Sequence, residues 1–289
     1  MNTSSVVSDP RVIIGSNTRI APDVEFAFHR DSTIRIGDNC IVNSGVKFVC
    51  DGGDVSIDDW TTLHDRCLVL SSKGVEIGQH CWFGQNTIID GTGGMTIGNG
   101  VRVGMYSQLW SHVAAGEQIE GCTLYGTRPV KIEDDVWLVG SCIVASGLTL
   151  GRRSIALIGS NITKSTMPAT VVAGSPAAVK PGLDFYKPLT LIEKWAMLRD
   201  WLVSIAEELD LVLDEHTDGI VRLQPREPGN DASQELVFAC RSSDAARLRN
   251  ESSATVCCVE DKRYNKRLTS IESRVLKILA GNKARFYRV

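Results

Sequence analysis

Apolar residues in the first 183 positions fall six apart. Ile14, Ile20 and Phe26 make one triplet, and Ile36, Val42 and Phe48 the next. The series continues as Ile57, Leu63, Val69, then Ile77, Phe83, Ile89, then Ile97, Val103, Leu109. Its longest run is Ile132, Leu138, Val144, Leu150, Ala156, Ile162. A spacing of six fits neither the helical period of 3.6 nor plain alternation. It predicts a solenoid in which each hexapeptide supplies one short strand and one tight turn, with the aliphatic residue pointing inward. Three hexapeptides close a triangular coil of eighteen residues. The triplet starts at 14, 36, 57, 77 and 97 are slightly further apart than that. Loops such as Cys50–Asp54 and Gly91–Gly94 are expected to absorb the excess at one corner. Glycine often follows the inward residue, as in Ile36-Gly37 and Ile77-Gly78, where a small residue is expected to ease the turn.

After Pro181-Gly182 the six-residue pattern stops. Leu191, Trp195, Leu198, Leu202, Ile205 and Leu209 fall at alternating four- and three-residue spacings, which predicts an amphipathic helix. Strands are expected at Leu211–Leu213, Ile220–Leu223, Leu236–Cys240 and Thr255–Val259, with a last helix over Ser270–Leu279. Gln224 to Ser233 reads as a loop, because Pro225, Pro228 and Gly229 interrupt it. The chain therefore divides into residues 1–183, a parallel β-solenoid, and residues 184–289, a smaller α+β domain.

Glycine usage follows that division: 23 of the 26 glycines precede Asp184. With 43% hydrophobic and 22% charged residues, the whole reads as globular rather than disordered or fibrous. A formal net charge of −3 creates no global pull toward nucleic acid. Charge is segregated in the second half, however. Lys262 to Val289 carries nine Lys or Arg against the single acid Glu272, and Asp184 to Asp261 carries eight basic and sixteen acidic residues. A basic face paired with acidic segments accounts for this, and so would docking to a lipid-linked glycan or to the inner membrane surface. Met1 to Pro10 is polar and lacks an apolar signal core, which points to a cytoplasmic address. The nine cysteines show no CxxC spacing and read as buried thiols in a reducing compartment.

One segment carries the densest motif. Pro129-Val-Lys-Ile-Glu-Asp-Asp-Val-Trp-Leu-Val-Gly-Ser141 runs into Gly147-Leu-Thr-Leu-Gly151, then Gly159-Ser-Asn-Ile-Thr-Lys164 and Met167-Pro-Ala-Thr-Val-Val-Ala-Gly-Ser-Pro-Ala177. These residues resemble the hexapeptide-repeat acyltransferases, in the branch of galactoside, maltose, xenobiotic and surface-polysaccharide acetyltransferases. The resemblance implies a left-handed parallel β-helix, although ordinary β-crossovers are right-handed. It also implies acetyl-CoA as co-substrate, a homotrimer with shared active sites, and no metal.

Between the last two repeat blocks the chain leaves the pattern, from Ser111 to Arg128. Interruptions of a solenoid tend to carry function, because the repeat itself needs no insertion. The excursion opens with His112, where the resembling family places its general base. An imidazole there would take the proton of an acceptor hydroxyl as that oxygen attacks the thioester. Glu117 and Glu120 are candidates to orient it. By the same resemblance the backbone amide of Ser141 is the expected oxyanion donor. The CoA arm is expected along Ser141, Gly159, Ser160, Thr163 and Lys164, with Arg153 or Lys180 at its phosphate end. Ala178 stands where the family commonly has Arg, and Arg152-Arg153 where it has Asp-Asn. Asn86 and Asp90 are candidates to hydrogen-bond the acceptor or to cap turns. Trp110 and Tyr125 are candidates to stack on a sugar ring or to pack.

The expected function is acetyl-CoA-dependent O-acetylation of a sugar hydroxyl in surface-glycan biosynthesis, by direct transfer in a ternary complex. N-acetylation of an amino sugar would use the same groups. His64, His80 and His112 would together allow a metal-dependent hydratase, but the position five residues after His112 holds Glu117 instead of a further histidine. A non-catalytic β-helix scaffold is the remaining alternative.

Overall fold

A computed structural model describes residues 9–216, 219–226 and 235–289. Most of the polar N-terminal segment Met1–Pro10 and most of the expected loop Gln224–Ser233 lie outside the described residues. The chain forms two compact units, Met1–Phe185 and Tyr186–Val289.

The first unit is a left-handed parallel β-helix with three sheets. Its inward positions stack in register from coil to coil. On one sheet Ile14 pairs with Ile36, Ile36 with Ile57, Ile77 with Ile97, and Ile97 with Ile132. A second ladder carries Val42, Leu63, Phe83, Val103 and Leu138, and a third carries Phe48, Val69, Ile89, Leu109 and Val144. The six-residue spacing thus puts every inward aliphatic above its counterpart, and from Ile36 onward these residues are the buried core, while Ile14 in the first coil is exposed. Evenly spaced, slanted parallel hydrogen bonds join one coil to the next.

Two residues before many of these aliphatics stands a second inward position, filled by small groups. Cys40, Cys67, Cys81 and Cys142 occupy it in some coils, and Thr18, Thr61, Thr87 and Ser160 in others. Each thiol donates to a corner carbonyl, as Cys81 Sγ does to Gly98 O at 3.0 Å, and Thr61 Oγ1 donates to Gly78 O at 2.9 Å. Burial pushes the Cys40 thiol up to about 12 and that of Cys67 to about 11. These cysteines are packing residues with weak donors.

The glycines after the inward aliphatics have a different reason from the one the sequence suggested. A Cβ at Gly37 would come within 2.8 Å of the backbone N of Asp59 in the next coil. Close approach of coils, rather than turn conformation, excludes a side chain there. The left-handed turn conformation falls two residues later, on Asn39, Trp60, His80, Gly100 and Asp135 in successive coils.

The excess residues collect at one vertex, between the third strand of one coil and the first of the next. Asp51–Asp54, Ser72–Gly74 and Thr92–Gly94 are its loops. The excursion leaves from the same vertex and folds as an antiparallel hairpin, with strand His112–Ala114 against Tyr125–Thr127. After Asn161–Ile162 the chain returns through Val171–Ala173, and the antiparallel strand Ala178–Val179 closes that sheet.

The second unit starts with helix α1 (Leu191–Leu209), which opens on a capping box of Thr190 and Glu193. A six-stranded sheet follows: Leu211–His216, Ile220–Pro225, Leu236–Ala239, Thr255–Cys258, Arg263–Tyr264 and Tyr287–Arg288, adjacent in that order. Its two parallel pairs are each bridged by a helix, α2 (Ser242–Glu251) and α3 (Ser270–Ala280). No helix among the described residues is long and apolar enough to cross a membrane.

Candidate active site

The excursion creates a local problem that Asp90 solves. Up to Trp110 the backbone amides still donate to the next coil, Trp110 N reaching Val144 O at 3.0 Å. At Ser111 and His112 the chain lifts off and those amides lose their ladder partners, which a buried backbone donor does not tolerate. Asp90 lies on the neighbouring strand Ile88–Gly91, one coil away, with its side chain covered by the base of the hairpin. Its Oδ2 accepts from Ser111 N at 2.7 Å and from His112 N at 3.1 Å. Ser111 Oγ donates to the same oxygen at 3.1 Å and in turn accepts from Gly93 N. Oδ1 accepts from Thr92 N at 3.1 Å and from Thr92 Oγ1 at 2.5 Å.

The sixth bond comes from the imidazole. His112 Nδ1 sits 2.7 Å from Asp90 Oδ2. Burial raises the Asp90 pKa, but the hydrogen bonds from Thr92, His112 and Ser111 outweigh it, so the carboxyl lies below its ordinary value. An ionised carboxylate only accepts, so Nδ1 carries the proton and Nε2 of the neutral ring is left with its lone pair. His112 is 33% exposed while Asp90 is fully buried. The edge of the ring meets Trp110, with centroids 5.9 Å apart and planes at 74°. Trp110 is itself held by a bond from Nε1 to Gln108 Oε1 at 3.0 Å.

The sequence left Asp90 between binding the acceptor and capping a turn; the structure places its carboxylate in hydrogen bonds within the chain. Every lone pair is engaged within the chain and no face is open to a ligand, so Asp90 orients His112 instead. Glu117 and Glu120, candidates to orient His112, stand at the outer turn of the hairpin, Glu117 just before Gln118–Glu120 and Glu120 at its end. Asn86 holds a left-handed turn position, φ 59°, and its Oδ1 accepts from Arg66 Nε at 3.0 Å. Tyr125 is exposed on the hairpin strand opposite His112.

The residues expected along the CoA arm are spread over all three vertices of the coil. Ser141, Gly159 and Ser160 share the vertex between the second and third strands, with Gly159 N on Gly140 O at 2.9 Å. Thr163 and Lys164 follow the third strand and share the vertex of His112, two coils further on. Arg153 stands at the remaining vertex, where its Nε is 3.8 Å from Asp135 Oδ2, and Lys180 lies in the closing segment. Two of these assignments need correction. Ser141 N donates to Met105 O at 2.8 Å, so that amide is not free to meet an oxyanion. Ser160 is buried, with Oγ donating to Leu157 O at 2.5 Å, and faces the core.

The three histidines do not converge. His64 meets Asn43 and the edge of Trp82, and His80 stacks on Trp60. Among the described residues no group of three His, Cys, Asp or Glu is placed to hold a metal ion.

These features define the chain's class: a hexapeptide-repeat β-helix with an imidazole held at its one excursion. No model of a known protein family matches the chain. Its relatives in sequence and its fold neighbours are hexapeptide-repeat acetyltransferases. It is 33% identical over 108 residues to nodulation protein L of Rhizobium meliloti (strain 1021), covering 37% of this chain and 58% of that one. It is 25% identical over 175 residues to galactoside O-acetyltransferase of Escherichia coli (strain K12), covering 61% of this chain and 66% of that one. The matched part therefore spans less than two thirds of each relative. Among solved structures, the polySia-specific acetyltransferase NeuO aligns with a TM-score of 0.50 at 18% identity, over 67% of this chain and 93% of that one. That likeness speaks for the fold.

Proposed function

We propose that the chain is an acetyl-CoA-dependent acetyltransferase acting on a sugar hydroxyl, with His112 as general base. The observation that carries this is the bond from His112 Nδ1 to the buried Asp90, which leaves Nε2 as a positioned acceptor on a partly exposed ring. Nε2 takes the hydroxyl proton as the oxygen attacks the thioester carbonyl. The tetrahedral intermediate then collapses to the acetyl ester, and the proton passes to the departing thiolate of CoA. Asp90 stays ionised throughout and stabilises the transient imidazolium. A sugar acceptor is supported by the galactoside O-acetyltransferase among the relatives. The setting would be surface-glycan assembly in the cytoplasm.

A homotrimer is the assembly this reading requires. The expected donor-side residues Ser141 and Gly159 stand at a different vertex from His112, so one protomer does not close a site around both. A neighbouring copy would bring its Ser141–Gly159 edge to the His112 edge of the first.

Thiol release from acetyl-CoA, assayed against sugars and amino sugars, tests the reading. His112→Ala is expected to lower turnover by roughly a hundred- to ten-thousand-fold while acetyl-CoA still binds. Near-normal turnover in that variant would overturn it.

A further inference from the structure

The vertex that carries His112 also carries a groove two coils below it. The loops Gly52–Asp54 and Lys73–Gly74 form one wall, and the outer face of the first sheet forms the other. The groove encloses about 480 Å³. Along its floor Arg35, Ser56 and Glu76 are cross-strand neighbours on successive coils. Coils rise by about 4.8 Å, so the backbones of Arg35 and Glu76 stand roughly 10 Å apart. Among the described residues Arg35 makes no side-chain hydrogen bond or ion pair, and neither does Glu76. Asp54 spends one oxygen on Thr33 N at 2.7 Å. Lys73 Nζ donates to Thr127 Oγ1 at 2.8 Å, and Thr127 is the cross-strand partner of His112. Lys73 therefore joins the groove to the base of the catalytic hairpin.

We propose that this groove is an acceptor subsite for an acidic sugar residue, on the same glycan as the residue that His112 serves. The inference rests on the acetyltransferase reading and names its substrate class: a glycan bearing carboxylates. Arg35 takes the carboxylate, the planar guanidinium matching its two oxygens, and Lys73, held toward Thr127, adds a second positive charge on the His112 side. Glu76 and Asp54 accept from ring hydroxyls. Those two carboxylates also choose between anions, because they repel a phosphate dianion more than a single carboxylate on a hydroxyl-rich ring. Three coils separate Arg35 from His112, about 14 Å, which is the span of two or three sugar units.

The test is titration of the full chain with a galacturonate trisaccharide and with its carboxyl-reduced, neutral counterpart. The acid is expected to bind roughly tenfold more tightly at low ionic strength, and the gap should narrow with salt. Arg35→Gln and Lys73→Gln should each shrink that preference, and the double variant should erase it. Both side chains are exposed, so neither change opens the core. Glu76→Gln should weaken both ligands alike. Equal affinity for the two sugars, no binding of either, or a preference surviving the double variant would overturn the subsite. His112→Ala should bind the acid as the wild type does. Failure of the acetyl-transfer reading is then seen in turnover, separately from failure of the groove.

Discussion

Asp90 in the solenoid and Glu272 in the second unit are both completely buried, and the two are held in opposite ways. Asp90, in the solenoid, receives six hydrogen bonds across both oxygens, and its pKa lies below the ordinary value. Glu272, near the start of α3, gives its Oε2 to Thr255 Oγ1 at 2.6 Å, Arg267 N at 2.8 Å and Leu268 N at 3.2 Å. Its Oε1 is buried with no partner. Burial pushes the Glu272 carboxyl up, and the hydrogen bonds from Thr255, Arg267 and Leu268 offset only part of that. Equal burial thus gives opposite shifts, and the completeness of the hydrogen-bond shell decides which. The fully satisfied carboxylate is the one beside the exposed imidazole. The half-satisfied one belongs to packing.

The strongest way to break this comparison is Asp90→Asn. An amide at Oδ2 cannot accept from all four groups now converging there, and it would turn a donor toward the ring or the amides. The His112 ring then loses the partner that fixes its tautomer. Turnover should fall by roughly a hundred- to ten-thousand-fold with little change in acetyl-CoA affinity. Retained kcat would show that orientation by Asp90 is dispensable. In the wild type this support is present above the ordinary carboxyl pKa and is lost only as pH falls through the lowered value. The activity profile should therefore show no break from Asp90 near neutrality.

The next effect falls in the second unit. Glu272→Ala strands the Thr255 hydroxyl and two backbone amides in the interior, at about 1–3 kcal/mol for each group left unsatisfied. Relief of a partly orphaned carboxylate offsets some of this, so a net loss of about 2–4 kcal/mol is expected. Hydrogen exchange at the amides of Thr255–Cys258 reports it directly. Protection equal to wild type would mean that Glu272 contributes nothing to holding α3 on the sheet.

Why the role of Asp90 escaped sequence reasoning follows from what a repeat encodes. The six-residue spacing located the inward position of every ladder from Ile14 to Ile162, because one residue type at one interval suffices to bury a coil. It put Asp90 outward, next to Ile89, and that orientation is what the strand shows. The hairpin one coil later then covers it, which no local pattern at Asp90 reveals. The signal that could have found it is relational: an acid one coil before the point where the chain leaves the stack. The Ser141 amide was out of reach for a similar reason, since a backbone donor carries no residue code. In the second unit the spacing of α1 gave its span from Leu191 to Leu209. Helix α2 was missed because only Ala245 and Leu248 face the core along Ser242–Glu251, too few to make a stripe.

A subtler probe is pH. With its folded pKa raised, Glu272 favours the native state most when protonated, below the pKa it has in the unfolded chain. That contribution is lost as pH rises through the folded value. Opening of the Thr255–Cys258 strand should therefore become easier from acid toward neutral pH, and Glu272→Gln should flatten the dependence while keeping an acceptor for Thr255. An unchanged slope in the Gln variant would assign the dependence to another group.

The smallest effect is expected where the solenoid already interchanges residues. Cys81 occupies the corner position that Thr61 fills one coil earlier, and both donate to the equivalent carbonyl of the next coil. Cys81 N in turn donates to Thr61 Oγ1 at 3.1 Å, so the stack links the hydroxyl of one coil to the backbone of the next. Replacing Cys81 by Thr keeps a donor aimed at Gly98 O and adds one methyl group beside Val101. A stability change within about 0.5 kcal/mol follows if the position asks only for a small group with a donor. A loss above about 2 kcal/mol, read from denaturant unfolding, would show that the corner is packed too tightly for a branched side chain. In that case the alternation of Cys, Thr and Ser along the stack would be fixed coil by coil, and the solenoid would be no more tolerant of change than the sheet around Glu272.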